Sequence, residues 1–202
     1  MSLFDYWLKK HNVDLENAMQ LKCFRSKVFE YDFVRRSREW GLGNAKFEYN
    51  WNGMYDHDVW YVENRFSWLP CEVKHATTTF APKQNDFGLS CHNFLPIRLS
   101  QLQRYCTEGL EMCVWLREVS MDNPANQRVC KFIRINGVDD GQELVSSKTL
   151  VFVDIKRLCD MYVRKQRILE LRIPYAKRPL SERHDGRCLA FRYDDFPNIP
   201  LA

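Results

Sequence analysis

Residues 55–74 read Tyr-Asp-His-Asp-Val-Trp-Tyr-Val-Glu-Asn-Arg-Phe-Ser-Trp-Leu-Pro-Cys-Glu-Val-Lys. Two runs rich in aromatic and β-branched residues, Val59–Val62 and Trp68–His75, flank the turn signal Glu63-Asn64-Arg65, which predicts a hairpin. Glu72 and Lys74 lie two apart in the second run, so both point to one side of the sheet and Val73 to the other. A carboxylate and an ammonium sharing one face of a mostly apolar strand are costly to desolvate unless something compensates. Asp58 opens the first run, and the hairpin can return Glu72 beside it. Two carboxylates held together repel, and a hard divalent cation, Mg²⁺ or Mn²⁺, relieves that repulsion with oxygen ligands. Such a site polarises a phosphate and acidifies a water that Lys74 can orient, which is the chemistry of phosphodiester hydrolysis. Asp56 competes with Asp58 for this role, but the apolar run Val59-Trp60-Tyr61 continues from Asp58 and favours it.

Working outward, Lys46–Tyr49 adds a third short strand before the hairpin, with Trp51-Asn52-Gly53 as its turn, giving a three-stranded meander. Upstream, Ser2 and Asp5 form a capping pattern for a first helix, with Leu3, Phe4, Trp7 and Leu8 at helical spacing. A second short helix is predicted from Asp14. A third runs from Arg25 to Trp40 with Val28, Phe29, Phe33 and Trp40 inward, and stops at Gly41-Leu42-Gly43. Downstream, a polar loop spans Thr77 to Pro96 and a helix spans Leu99 to Glu108, closed by Gly109. Strands are expected at Met112–Val119, Val129–Ile135 and Thr149–Ile155. A basic amphipathic helix from Asp154 to Ile173 then leads into an irregular tail after Pro174 and Pro179. The core order is α-β-β-β-α-β, an α/β (α+β) arrangement of a mixed sheet flanked by helices. Residues 1–24 read as a helical extension, 25–155 as the core, and 156–202 as the basic helix and tail of the same domain.

With these elements in order, the chain resembles the PD-(D/E)XK nuclease superfamily. Asp58 matches the acid that opens the family's second strand, and Glu72-Val73-Lys74 its E-x-K on the third. Phe29-Glu30-Tyr31 sits where the first helix often contributes a Glu, and Gln101-Leu102-Gln103-Arg104-Tyr105 is similar to the Q-h-x-x-Y of some branches. The stretch Asn93-Phe94-Leu95-Pro96-Ile97 through Gln101 and Gly109 is locally similar to Holliday-junction resolvases. The likeness covers Arg25 to Val119, with His57 standing where the family often has Pro before the acid.

The resemblance implies a restriction-endonuclease-like core and a metal-dependent DNA endonuclease, either a junction resolvase or a restriction or homing enzyme, working as a homodimer on DNA that may be branched. It implies a Mg²⁺ or Mn²⁺ ion on Asp58, Glu72 and the Val73 carbonyl, with Lys74 orienting water, Gln101 lining the site and Glu30 as an additional acid. A nucleic-acid-binding or assembly protein that keeps the fold without catalysis is the alternative.

Composition agrees with an ordinary globular protein, 45% hydrophobic and 28% charged. No run approaches the ~20 apolar residues of a membrane span and the N-terminus lacks a signal-peptide pattern. The expected setting is therefore cytoplasmic, including the cytoplasm of a host if the chain is viral. The eight cysteines occur singly, without C-x-x-C, and read as reduced, buried apolar side chains. P-loop, dinucleotide-fold and G-x-S-x-G patterns are missing, so NTPase, oxidoreductase and serine-hydrolase readings lack their motifs. Net charge is +4, but Lys156–Arg187 carries ten basic residues against four acids, so the rest of the chain is net negative. That asymmetry points to a polyanion, with Arg164, Lys165 and Arg167 on the basic helix and Lys83 in the polar loop as phosphate contacts. His57 and His75 fall next to the acidic residues and Lys74, so the alternation of a strand turns them to the opposite face.

Overall fold

Strand β1 (Lys46–Tyr49), β2 (Val59–Asn64) and β3 (Ser67–Ala76) form the expected antiparallel meander. The structure, a computed structural model, describes residues 3–50, 57–79, 91–135, 144–172 and 187–201. The turn at Trp51-Asn52-Gly53, Asp56, Lys83 and the segment holding Pro174 and Pro179 lie outside the described residues. The chain groups into two compact units, Met1–Val73 and Lys74–Ala202, and β3 is the strand along which one gives way to the other.

In the first unit, α1 (Leu3–His11) precedes one long helix, α2 (Ala18–Ser37), where two were expected. Its start is set by Asn17, whose Oδ1 accepts from the Met19 and Gln20 amides at 3.0 and 3.2 Å. Asp14 instead accepts from the Glu16 amide in the turn before it. The helix ends at Ser37, before Gly41 and Gly43, both of which take positive φ in the turn that follows.

The buried stripe of α2 also differs from the expected one. Phe24, Lys27, Glu30, Phe33, Val34 and Ser37 are buried, whereas Val28 is 41% exposed. Phe33 packs edge-on against Phe47 of β1 and Trp40, with ring centroids 5.0 and 5.1 Å apart.

The second unit contains two antiparallel arrays. β5 (Met112–Val119) pairs with β6 (Ser147–Asp154), and β6 with β9 (Asn198–Pro200). β4 (Phe94–Arg98) pairs with β8 (Arg187–Arg192), and β8 with β7 (Ile168–Arg172). Helix α3 (Leu99–Glu108) ends as expected at Gly109, in the left-handed conformation that favours glycine. An apolar core joins Leu102 and Tyr105 of α3, Trp115 of β5, Val153 of β6, Leu158 of α5 (Ile155–Val163) and Phe191 of β8.

Several expectations for this unit fail. Residues 129–135 belong to a helix, α4 (Pro124–Ile135), started by Asn123, whose side chain accepts from the Ala125 amide, and by Pro124 in the first turn. The expected loop gives way at Phe94 to β4, which runs past Pro96 to Arg98, and the tail contains β8 and β9.

The basic helix stops at Val163 with a Schellman closure: the Gln166 amide bonds Met161 O at 2.9 Å and the Lys165 amide bonds Tyr162 O at 3.1 Å. Lys165 takes the left-handed position usually held by glycine, with φ 53°. Cys106 of α3 and Cys159 of α5 are paired as a disulfide, so the cysteines are not all free. The fold is thus mixed α/β, with strands flanked by helices and an α2-β1-β2-β3-α3-β5 order interrupted by β4. Among the described residues no helix is long and apolar enough to cross a membrane.

Candidate functional site

The β2–β3 register pairs Val59 with Cys71, and continuing it by one residue brings Asp58 level with Glu72. Asp58 is tied there by its own Oδ2, which accepts from the Val73 amide at 2.8 Å. Cys71 and Val73 are buried while Glu72 and Lys74 are only partly covered, the alternation expected of the E-x-K strand. Glu30 of α2 is the third acid of this group. Glu30, Asp58 and Glu72 act on one another electrostatically.

Two of these carboxyls, Glu30 and Asp58, flank a cation that sequence reasoning missed. Lys27 is buried on α2, its Nζ 2.8 Å from Glu30 Oε2 and 4.0 Å from Asp58 Oδ1. The side chains of Lys27 and Glu30 are each 5% exposed and that of Asp58 is 15% exposed. The 2.8 Å contact is an ion pair without well-aligned hydrogen-bond geometry, for neither Lys27 Nζ nor Glu30 Oε2 has a hydrogen-bond partner. The signal was present in the i, i+3 spacing of Lys27 and Glu30 on the stripe that also carries Phe24 and Val34.

Electrostatics follow from that burial. Burial, reinforced by the charges of Glu30 and Glu72, holds the Asp58 carboxyl well above the usual carboxylate range. Glu30 is raised as well, chiefly by burial, with Lys27 opposing the shift. The Tyr49 phenol on β1 is pushed up by burial and by the negative charges of Glu30 and Asp58. One ammonium stands against three acids in the first unit, and burial and mutual repulsion hold Glu30 and Asp58 toward their neutral forms. Among the described residues, no three His, Cys, Asp or Glu side chains are disposed to hold a metal ion as they stand.

The remaining expected residues lie in the second unit. The Lys74 ammonium stands 5.5 Å from the centroid of the Tyr105 ring, a cation–π distance. Gln101 is half-buried on α3, one turn before the fully buried Tyr105. His75, the neighbour of Lys74, meets Glu118 Oε2 at 2.6 Å, and Lys148 holds the other oxygen of Glu118 at 3.3 Å.

Arg164, Lys165 and Arg167 are not on a helix face: Arg164 is the cap of α5 and the other two follow it in the turn. Arg157, Arg164 and Arg167 nevertheless line one cleft of about 300 Å³, beside Asp160 and Asp195. Arg167 is ion-paired to Asp195 at 3.0 Å, which lowers the positive charge available there. Comparison with protein families, with curated proteins and with solved structures finds no match.

Proposed function

We propose that the chain is a metal-dependent endonuclease that hydrolyses phosphodiester bonds in DNA. The observation that carries this reading is the buried Glu30–Asp58 pair with Glu72 beside it, an all-oxygen group in which burial and the neighbouring acids oppose ionisation, a cost that a divalent cation would relieve. That chemistry fits a hard divalent cation, Mg²⁺ or Mn²⁺, with Asp58, Glu72 and the Val73 carbonyl as the holding groups and Glu30 as a further acid. The ion supplies Lewis-acid polarisation of the scissile phosphate and a more acidic water.

The rest falls to the chain itself. The Val73 amide fixes the Asp58 carboxylate against β3. Lys74, two residues beyond Glu72 on the same strand, donates to the attacking water and to the charge that develops on phosphate. Gln101 lines the site by resemblance to the family. Arg164 and Lys165 contact the DNA backbone, and a second copy of the chain serves the second strand. A restriction-endonuclease-like core, action on intracellular DNA, and junction or restriction-type targets belong to the same reading.

The test is a cleavage panel of linear, supercoiled and four-way-junction DNA, with RNA included, in Mg²⁺ and in Mn²⁺. Cleavage is expected only with metal, and is expected to fall roughly a hundredfold or more in Glu72→Ala and Lys74→Ala with circular dichroism unchanged. If the wild type leaves every substrate intact in both metals, the enzyme reading is lost.

A second reading, a nucleic-acid-binding or assembly protein without catalysis, is favoured by Lys27, a cation already seated among the carboxylates. It predicts gel-shifted but uncut DNA.

A further inference from the structure

We propose that Lys27 is a built-in counter-cation of the Glu30–Asp58–Glu72 group, and that a divalent ion binds there by displacing its ammonium. This rests on the metal-dependent reading above and adds a control on it.

The geometry carries the argument. Lys27 is a long, flexible residue only 4% exposed, in a unit whose other deeply buried side chains are mostly apolar. Burying an ammonium is costly unless opposite charge compensates, and here Glu30 at 2.8 Å and Asp58 at 4.0 Å do so. The ammonium is held by carboxyls that burial and mutual repulsion disfavour as anions.

The arrangement of the acids points the same way. Glu30, Asp58 and Glu72 influence one another electrostatically, yet no three of the described acids, histidines and cysteines are set at metal-holding positions. Two of the three, Glu30 and Asp58, lie within 4.0 Å of the ammonium. Closing them on a divalent cation requires that the ammonium leave, because two cations sharing the same oxygens repel. Lys27 has a four-carbon stem that can carry its charge outward while the stem stays packed. The consequence is a site in which metal affinity is set by competition with the protein's own cation, and in which the metal-free form is kept folded and neutralised by Lys27.

The experiment measures Mn²⁺ binding by titration calorimetry at fixed pH in wild type, Lys27→Met and Lys27→Gln. Removing one unit charge from a partly screened site is expected to tighten Mn²⁺ binding by about tenfold or more in both variants. Adding methylammonium should weaken Mn²⁺ binding to the variants more than to the wild type. Equal Mn²⁺ affinity in all three proteins overturns the displacement and leaves the endonuclease reading standing. Absence of Mn²⁺ binding in all three overturns both. Binding in the variants alone means that Lys27 excludes the metal from the wild type, which overturns displacement and, with it, the metal-dependent reading.

Should both variants unfold, the wild type supplies the readout: acetylation by acetic anhydride, followed by mass spectrometry. Lys27 is expected to be protected without Mn²⁺ and to label several-fold faster with it, relative to the exposed Lys46, as a buried amine becomes solvated. An unchanged Lys27 labelling rate at saturating Mn²⁺ overturns the proposal.

Discussion

The two units spend their buried space differently. The second is built on an apolar core in which Leu102, Tyr105, Trp115, Val153, Leu158 and Phe191 interlock. The first buries Phe33, Phe47 and Val59, but also Lys27 and Glu30, with Asp58 nearly so. Apolar burial stabilises in proportion to area, whereas buried charge is close to neutral at best and costly when one partner is lost. The second unit also buries a cation, Arg117, but seats it on the neutral oxygens of Ser147 and His92, so the contrast lies in the carboxyls, Glu30 and Asp58, that the first unit sets beside its buried cation. The largest expected effect breaks it from the apolar side. Trp115→Ala, with Trp115 3% exposed and edge-on to Phe191, should cost about 3–5 kcal/mol by urea denaturation. A loss below roughly 1 kcal/mol would show that this core relaxes around the cavity and that the contrast is weaker than drawn.

From the charged side the sign reverses. Asp58→Asn keeps an oxygen to accept from the Val73 amide and removes a charge that burial and two neighbouring acids oppose. In EDTA at neutral pH it is expected to stabilise the protein by roughly 1–2 kcal/mol, or several degrees in Tm, while abolishing metal-dependent cleavage. The pH dependence has a definite sign. A carboxyl whose folded pKa is raised binds more protons in the folded state, so its contribution is favourable at low pH and is lost as pH rises through the folded value. The stability difference between Asp58→Asn and wild type should therefore grow from the ordinary aspartate range upward and then level off. A difference that shrinks with pH would mean that Lys27 neutralises Asp58 more fully than its 4.0 Å separation implies.

How much of this was legible in the sequence varied with the kind of signal. The meander and the E-x-K strand were readable because aromatic and β-branched runs alternate between clear turns, and α3 because Gly109 ends it. Helix α5 was extended too far because its left-handed closing residue is Lys165, which carries no punctuation of the kind a glycine does. Helix α4 looked like a strand because Val129, Ile133 and Ile135 supply β-branched density. Its true period shows only in burial, with Asn126 and Ile133 buried and Ile135 72% exposed. Strands β8 and β9 were hidden behind a stretch dominated by Pro174, Pro179 and charge. At the site, Asp58, Glu30 and Glu72 were nameable from motif spacing, but Lys27 was not. A basic residue on a helix is read as solvated, and only the acids brought over it by the chain's tertiary structure make its burial tolerable.

The smallest expected effect sharpens the comparison by asking whether the charged group depends on the whole of α2 or only on its middle. Asn17 accepts from two otherwise unpaired amides at the helix start, and the residues around it are exposed. Asn17→Ala should cost about 1 kcal/mol of stability, the ordinary value of a lost N-cap. Lys27 lies ten residues further on, close to three helical turns, with Phe24 anchored between it and the frayed end. Fraying reaches only the first turn or so, so Mn²⁺ affinity is expected to stay within about twofold of wild type. If Asn17→Ala weakened Mn²⁺ binding strongly at unchanged overall folding, the carboxylate group would be positioned by the register of the entire helix. The separation drawn between a stabilising apolar unit and a locally held charged one would then have to be given up for the first unit, because its charges and its helix would stand or fall together.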